Sequence, residues 1–193
     1  MSWLNLASWI PCTEVEGPGK RAALWVQGCD KRCVGCCNPD YLKIVEREIL
    51  RAEVMVDRLL EAQAEWGLEG VTFLGGEPFL QAQGLAVVAE GVSRAGLSVM
   101  TFTGYTMQEL NELSLPGARE LLAWTDVLVD GPYESANPDR RRNWVGSTNQ
   151  RFHYLTKRYD ALIEGADVPN REVEWRVRDD GRFVVNGWPV SIR

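Results

Sequence analysis

Residues 22–39 read AALWVQGCDKRCVGCCNP. The first part of this stretch is nearly all apolar and predicts a buried strand over Ala22–Gln27. The strand runs directly into a loop that carries four cysteines, Cys29, Cys33, Cys36 and Cys37, within nine positions. Disulfides are a poor use for them, because adjacent cysteines do not meet the bridge geometry and so short a loop resists it. Several thiolates from one loop instead make a soft-ligand site for a metal or a cluster. Gly28 and Gly35 let the backbone wrap closely around a bulky inorganic core.

Cys29, Cys33 and Cys36 form C-x3-C-x2-C, three thiolates with one coordination position left over. Structural zinc normally takes four ligands, and the fourth would have to be Cys37, Cys12 or His153, the only histidine. A [4Fe–4S] cluster held by three cysteines leaves one iron free to bind a substrate. The loop alone favours iron–sulfur and leaves zinc open.

Downstream, strands and helices alternate. Glu53–Trp66 predicts a helix with Met55, Leu59, Ala62 and Trp66 on one face. Val71–Leu74 predicts a strand ended by Gly75-Gly76, and Phe79–Ala95 a helix with Leu85, Val88, Ala89 and Val92 at core spacing. Leu97–Phe102 and Val127–Val129 read as strands, and Met107–Leu113 and Ala118–Trp124 as short helices. Strands separated by helices imply parallel pairing with right-handed crossovers. The units are too few for a complete barrel of about 250 residues. The expected fold is therefore α/β, a partial, open β/α barrel. The cysteine loop leaves the carboxyl end of a strand, where such folds place their active sites.

The two ends differ in kind. MSWLNLASWIPC, residues 1–12, lacks the positive leader of a secretion signal and reads as a first strand with Trp3, Leu4, Leu6 and Ile10 partly buried. EVEWRVRDDGRFVVNGWPV, residues 172–190, sets two alternating runs around Asp180-Gly181 and predicts an antiparallel β-hairpin. No linker or repeat interrupts the 193 residues, so one domain is expected over 1–193.

Composition narrows the function. Acidic residues outnumber basic ones 27 to 21, which argues against a nucleic-acid partner. No apolar run approaches a membrane span. Five cysteines, an odd number and mostly clustered, fit a reducing cytoplasm better than a secreted disulfide framework.

The cysteine spacing resembles the signature of radical S-adenosylmethionine (SAM) enzymes, and Gly75-Gly76-Glu77-Pro78 resembles the GGEP stretch of that superfamily. EGPGKRAALWVQGC, TFTGYTMQEL, DVLVDGPYE and VGSTNQR are similar, more narrowly, to the small activating proteins of glycyl-radical enzymes, those of anaerobic ribonucleotide reductase above all. These stretches span residues 16–151. Cys37 stands where those activases usually carry histidine, which leaves Cys29/Cys33/Cys37 as a second register.

The resemblance implies that Cys29, Cys33 and Cys36 ligate a [4Fe–4S] cluster whose fourth iron takes SAM. Reductive cleavage of SAM then gives a 5′-deoxyadenosyl radical that abstracts hydrogen from the target. It implies cofactor contacts from Gly75, Gly76, Glu77 and Pro78, with Glu77 as an acceptor for the methionine ammonium. Thr101, Thr103 and Asp130 follow at the ends of the next two strands, and Asn149 and Gln150 at the mouth. The implied partners are a glycyl-radical enzyme, or another protein or peptide substrate, and an external one-electron donor of flavodoxin or ferredoxin type.

Overall fold

A computed structural model describes residues 2–165, 172–177, 181 and 183–188. Its centre is a seven-stranded sheet in the order β3-β1-β2-β4-β5-β6-β7. Four strands, β2 (Arg21–Val26), β4 (Gly70–Gly75), β5 (Ser98–Phe102) and β6 (Val127–Asp130), are parallel neighbours, as the alternation predicts. Their residues are buried on both faces, so β2 reads as a continuous apolar run.

The edges were less legible. β1 (Trp3–Thr13) pairs antiparallel with β2 on one side and with β3 (Glu48–Arg51) on the other. β7 (Arg151–Tyr154) adds antiparallel to β6. β3 and β7 are four residues each, too short for a period-two pattern to stand out, and neither was expected as a strand.

The helices pack on one face of the sheet. α1 (Ala52–Trp66) buries Ala52, Met55, Leu59 and Ala62, while Trp66, expected on that face, is exposed in the last turn. α2 (Ala82–Arg94) buries Leu85, Val88, Ala89 and Val92. It begins later than predicted, because Pro78–Gln81 forms a separate 3-10 turn whose Phe79 N–H is capped by the Glu77 side chain. The short helices α3 (Met107–Glu112) and α4 (Ala118–Ala123) complete this layer. The opposite face of the sheet carries smaller apolar groups, Ala23 and Trp25 with Ile10, and Met100, Val127 and Val129. Arg21 is fully buried, held by Thr72 Oγ1 at 2.8 Å, Ser98 Oγ at 2.9 Å and the Val71 carbonyl at 2.8 Å. It closes the amino ends of the parallel strands.

The predicted hairpin forms as β8 (Val173–Val177) and β9 (Phe183–Gly187), a two-stranded sheet of its own. Asp180 of its turn lies outside the described residues. The hairpin is tied to the end of β1 by Asn186 Nδ2 donating to Thr13 Oγ1 at 2.9 Å and the Gly187 N–H to Glu16 Oε1 at 2.7 Å. Among the described residues no helix is long and apolar enough to cross a membrane.

Candidate active site

The carboxyl ends of β2, β4, β5 and β6 bring together the stretches that sequence reasoning singled out. The cysteine loop begins at Gly28, immediately after β2 and Gln27. Its base is pinned by the Gly28 N–H to the Tyr41 carbonyl at 2.8 Å and the Cys29 N–H to the Leu42 carbonyl at 3.2 Å. Gln81 reinforces it, donating to the carbonyls of Gln27 at 2.9 Å and Asn5 at 3.0 Å. Neither Asn5 nor Gln81 carries a sequence signal for this role, because amides are ordinary in turns.

Gly75 and Gly76 pass so close to the loop that no side chain fits. A Cβ on Gly76 would lie 2.2 Å from the Gly28 carbonyl oxygen, and one on Gly75 2.5 Å from the Val26 nitrogen. The close approach allows the Gly76 N–H to reach the Val26 carbonyl and the Glu77 N–H the Gly28 carbonyl, both at 2.8 Å. The glycine pair therefore welds the cysteine loop to the end of β4.

Glu77 turns inward and is 1% exposed. Its carboxylate accepts from the Phe79 N–H at 3.0 Å, Thr103 Oγ1 at 2.8 Å and the Gly104 N–H at 2.8 Å. Burial pushes its pKa up to about 7, against the pull of those three donors. Pro78 starts the 3-10 turn at its favoured first position.

The remaining predicted residues are engaged with neighbouring parts of the fold. Thr101 is fully buried and shares a hydrogen bond of 3.1 Å with Thr125. Asp130 accepts from the Met107 N–H at the start of α3, and its Oδ2 stands 3.0 Å from His153 Nε2 without hydrogen-bond alignment. Asn149 donates to the Pro132 carbonyl at 2.7 Å and leaves its buried Oδ1 without a partner. Gln150 Oε1 accepts from the Gly146 N–H at 2.8 Å, holding its own loop.

The cysteines are not equivalent. Cys29 is buried, Cys33 and Cys36 are half-buried, and Cys37 is exposed. Burial raises the Cys29 thiol pKa, while the backbone N–H groups of Arg32 and Lys31 counter it. The Cys37 thiol, with the Asn38 N–H, pulls the Cys36 thiol pKa down despite its burial.

Over residues 15–153 the chain matches the family described as a 4Fe-4S single cluster domain. It is 32% identical to the anaerobic ribonucleoside-triphosphate reductase-activating protein of Pasteurella multocida (strain Pm70), over 80% of this chain and 99% of that one. The protein of the same name from Vibrio cholerae is 31% identical, with 79% and 99% covered. The one from Escherichia coli (strain K12) is 28% identical, with the same coverage. The chain belongs to this family of reductase-activating proteins.

The family's cluster fits the residues present. The donor set is three sulfurs on one loop, and backbone N–H groups already stabilise negative charge on two of them, Cys29 and Cys36. Of the fourth ligands that a zinc site would borrow, Cys37 is on the same loop beside Cys36, whereas Cys12 and His153 stand elsewhere. Cys12 lies beside Thr13, which pairs with Arg21 at the opposite end of β2 from Cys29, and His153 is on β7 beside Leu128.

Proposed function

We propose that this chain is a radical SAM enzyme that installs a glycyl radical on a partner, an anaerobic ribonucleoside-triphosphate reductase in the manner its relatives' name describes. The observation that carries the reading is the weld between the cysteine loop and the Gly75-Gly76 turn, which sets a three-thiolate site against a half-buried backbone edge. When bound, a [4Fe–4S] cluster with SAM supplies a one-electron cleavage of the sulfonium to methionine and a 5′-deoxyadenosyl radical, which takes a hydrogen atom from the target.

In this reading Cys29, Cys33 and Cys36 hold the cluster, and exposed Cys37 serves as hydrogen-bond donor to Cys36. The backbone of Gly75 and Gly76 receives the methionine end. Glu77 and Thr103 act from beneath by fixing the shape of that edge, and Pro78 fixes where the next turn begins. Thr101 and Asp130 hold the ends of β5 and β6 in place. The sheet curves as a partial barrel whose open side admits the glycine loop of the partner. An external one-electron donor of flavodoxin or ferredoxin type supplies the electron. The unit is a single domain over 1–193, with its core over 16–151, and its five free cysteines suit the cytoplasm.

The test is anaerobic. The protein is reconstituted with iron and sulfide, reduced, and mixed with SAM and a reductase deuterated at glycine. The expected result is a [4Fe–4S]⁺ electron paramagnetic resonance signal altered by SAM, with deuterium recovered in 5′-deoxyadenosine. A cluster indifferent to SAM, or zinc alone retained, overturns the proposal.

A further inference from the structure

Asp30 and Lys31 follow Cys29 directly, and both side chains reach across to the end of β5. Tyr105, 5% exposed, donates its hydroxyl to Asp30 Oδ2. The Lys31 ammonium sits 4.0 Å above the centre of the same ring and 2.8 Å from Glu109 Oε1. Gly104 makes room for the lysine stem, since a Cβ there would lie 2.9 Å from Lys31 Cγ. Glu109 is itself held by the capping box with Thr106 at the start of α3.

These contacts close a circuit. The Tyr105 N–H donates to Thr103 Oγ1 at 3.0 Å, Thr103 Oγ1 donates to Glu77 Oε1 at 2.8 Å, and the Glu77 N–H donates to the Gly28 carbonyl at 2.8 Å. Gly28 and Asp30 flank Cys29, so this cysteine is gripped from both sides. The grip matters because residues 28–46 contain no strand or helix beyond one 3-10 turn at Pro39–Tyr41. A loop held by a few isolated backbone hydrogen bonds and no ladder depends on such side-chain contacts to keep its geometry.

We infer that Tyr105 is a positioning residue, whose bond to Asp30 and stacking with Lys31 fix Cys29 against the Gly75–Glu77 edge. The inference rests on the cluster assignment above. It makes the cysteine loop and the cofactor edge a single rigid unit, so that the sulfonium of SAM meets the cluster at a set separation.

Tyr105→Phe removes only the hydroxyl and keeps the ring beneath Lys31. In the metal-free protein under native conditions, iodoacetamide labelling read by peptide mass spectrometry is expected to modify Cys29 about tenfold faster than in the wild type, with Cys12 unchanged. Asp30→Ala is expected to accelerate that labelling at least as much, since it also removes a charge that raises the Cys29 thiol pKa. The double variant is expected to match Asp30→Ala alone, because the Tyr105–Asp30 contact is already lost. In the reconstituted Tyr105→Phe protein, the SAM concentration that half-saturates the change in the resonance signal is expected to rise about tenfold at equal iron content. Unchanged Cys29 labelling, equal acceleration at Cys12, or additive effects in the double variant would each overturn the inference. Wild-type protein that fails to cleave SAM with a chemical reductant sinks the functional reading instead, and the labelling result then stands by itself.

Discussion

Glu77, just past the end of β4, accepts a hydrogen bond of 2.8 Å from the hydroxyl of Thr103, just past the end of β5. The bond joins two parallel strands beyond the point where their ladder stops. The second carboxylate oxygen takes the Gly104 N–H. Removing the carboxylate strands three donors in a closed site. Glu77→Ala is expected to lower unfolding free energy by about 2–4 kcal/mol. Urea unfolding of the metal-free protein checks this, and a loss below about 0.5 kcal/mol refutes it.

Gly76 and Gly96 separate steric from conformational cost. A Cβ at Gly76 collides with the Gly28 carbonyl oxygen at 2.2 Å, whereas Gly96, with φ +92°, has no atom within 4 Å of the same position. Gly96→Ala is expected to cost about 1 kcal/mol from backbone strain alone. Gly76→Ala must displace backbone, and is expected to cost more and to abolish iron retention. Equal unfolding midpoints for the two variants would contradict the weld.

Glu16 gives stability a pH dependence. Its half-buried carboxyl accepts from the Gly187 N–H of the hairpin, and desolvation raises its pKa from 4.5 to about 7, opposed by that N–H and the Asn186 side chain. Among nearby charges Glu174 raises it further and Arg176 lowers it. The folded chain thus holds this proton more tightly than the unfolded chain. The contribution is fully present below pH 4.5 and is lost as pH rises through 7, a change on the order of 3 kcal/mol. Glu77 acts in the same direction. Comparing Glu16→Gln with wild type in urea at pH 5 and pH 8 reads the difference directly. The wild type is expected to lose more stability over that interval, and parallel losses would remove Glu16 as the cause.

The cysteine assignment is separable by substitution. Serine at Cys29, Cys33 or Cys36 is expected to cut bound iron and sulfide to a small fraction of wild type after reconstitution. Serine at Cys37 or Cys12 is expected to leave both near wild type. Iron loss at Cys37 equal to that at Cys36 would instead favour the Cys29/Cys33/Cys37 register.

Short-range features were legible before any fold was known. The α1 and α2 faces follow from apolar spacing, the parallel core from alternation, and the metal-binding character of the loop from three thiolates in eight positions. Each depends on residues near one another in the chain. The inward turn of Glu77, the withdrawal of Thr101 and Asp130 from the surface, and the grip of Tyr105 on Asp30 depend on partners 23 to 75 residues away. A carboxylate or phenol looks the same in sequence whether it meets a ligand or a neighbouring loop. Only the packing of four strand ends against one another decides which donor it finds, because a buried polar group must take the partner the fold supplies.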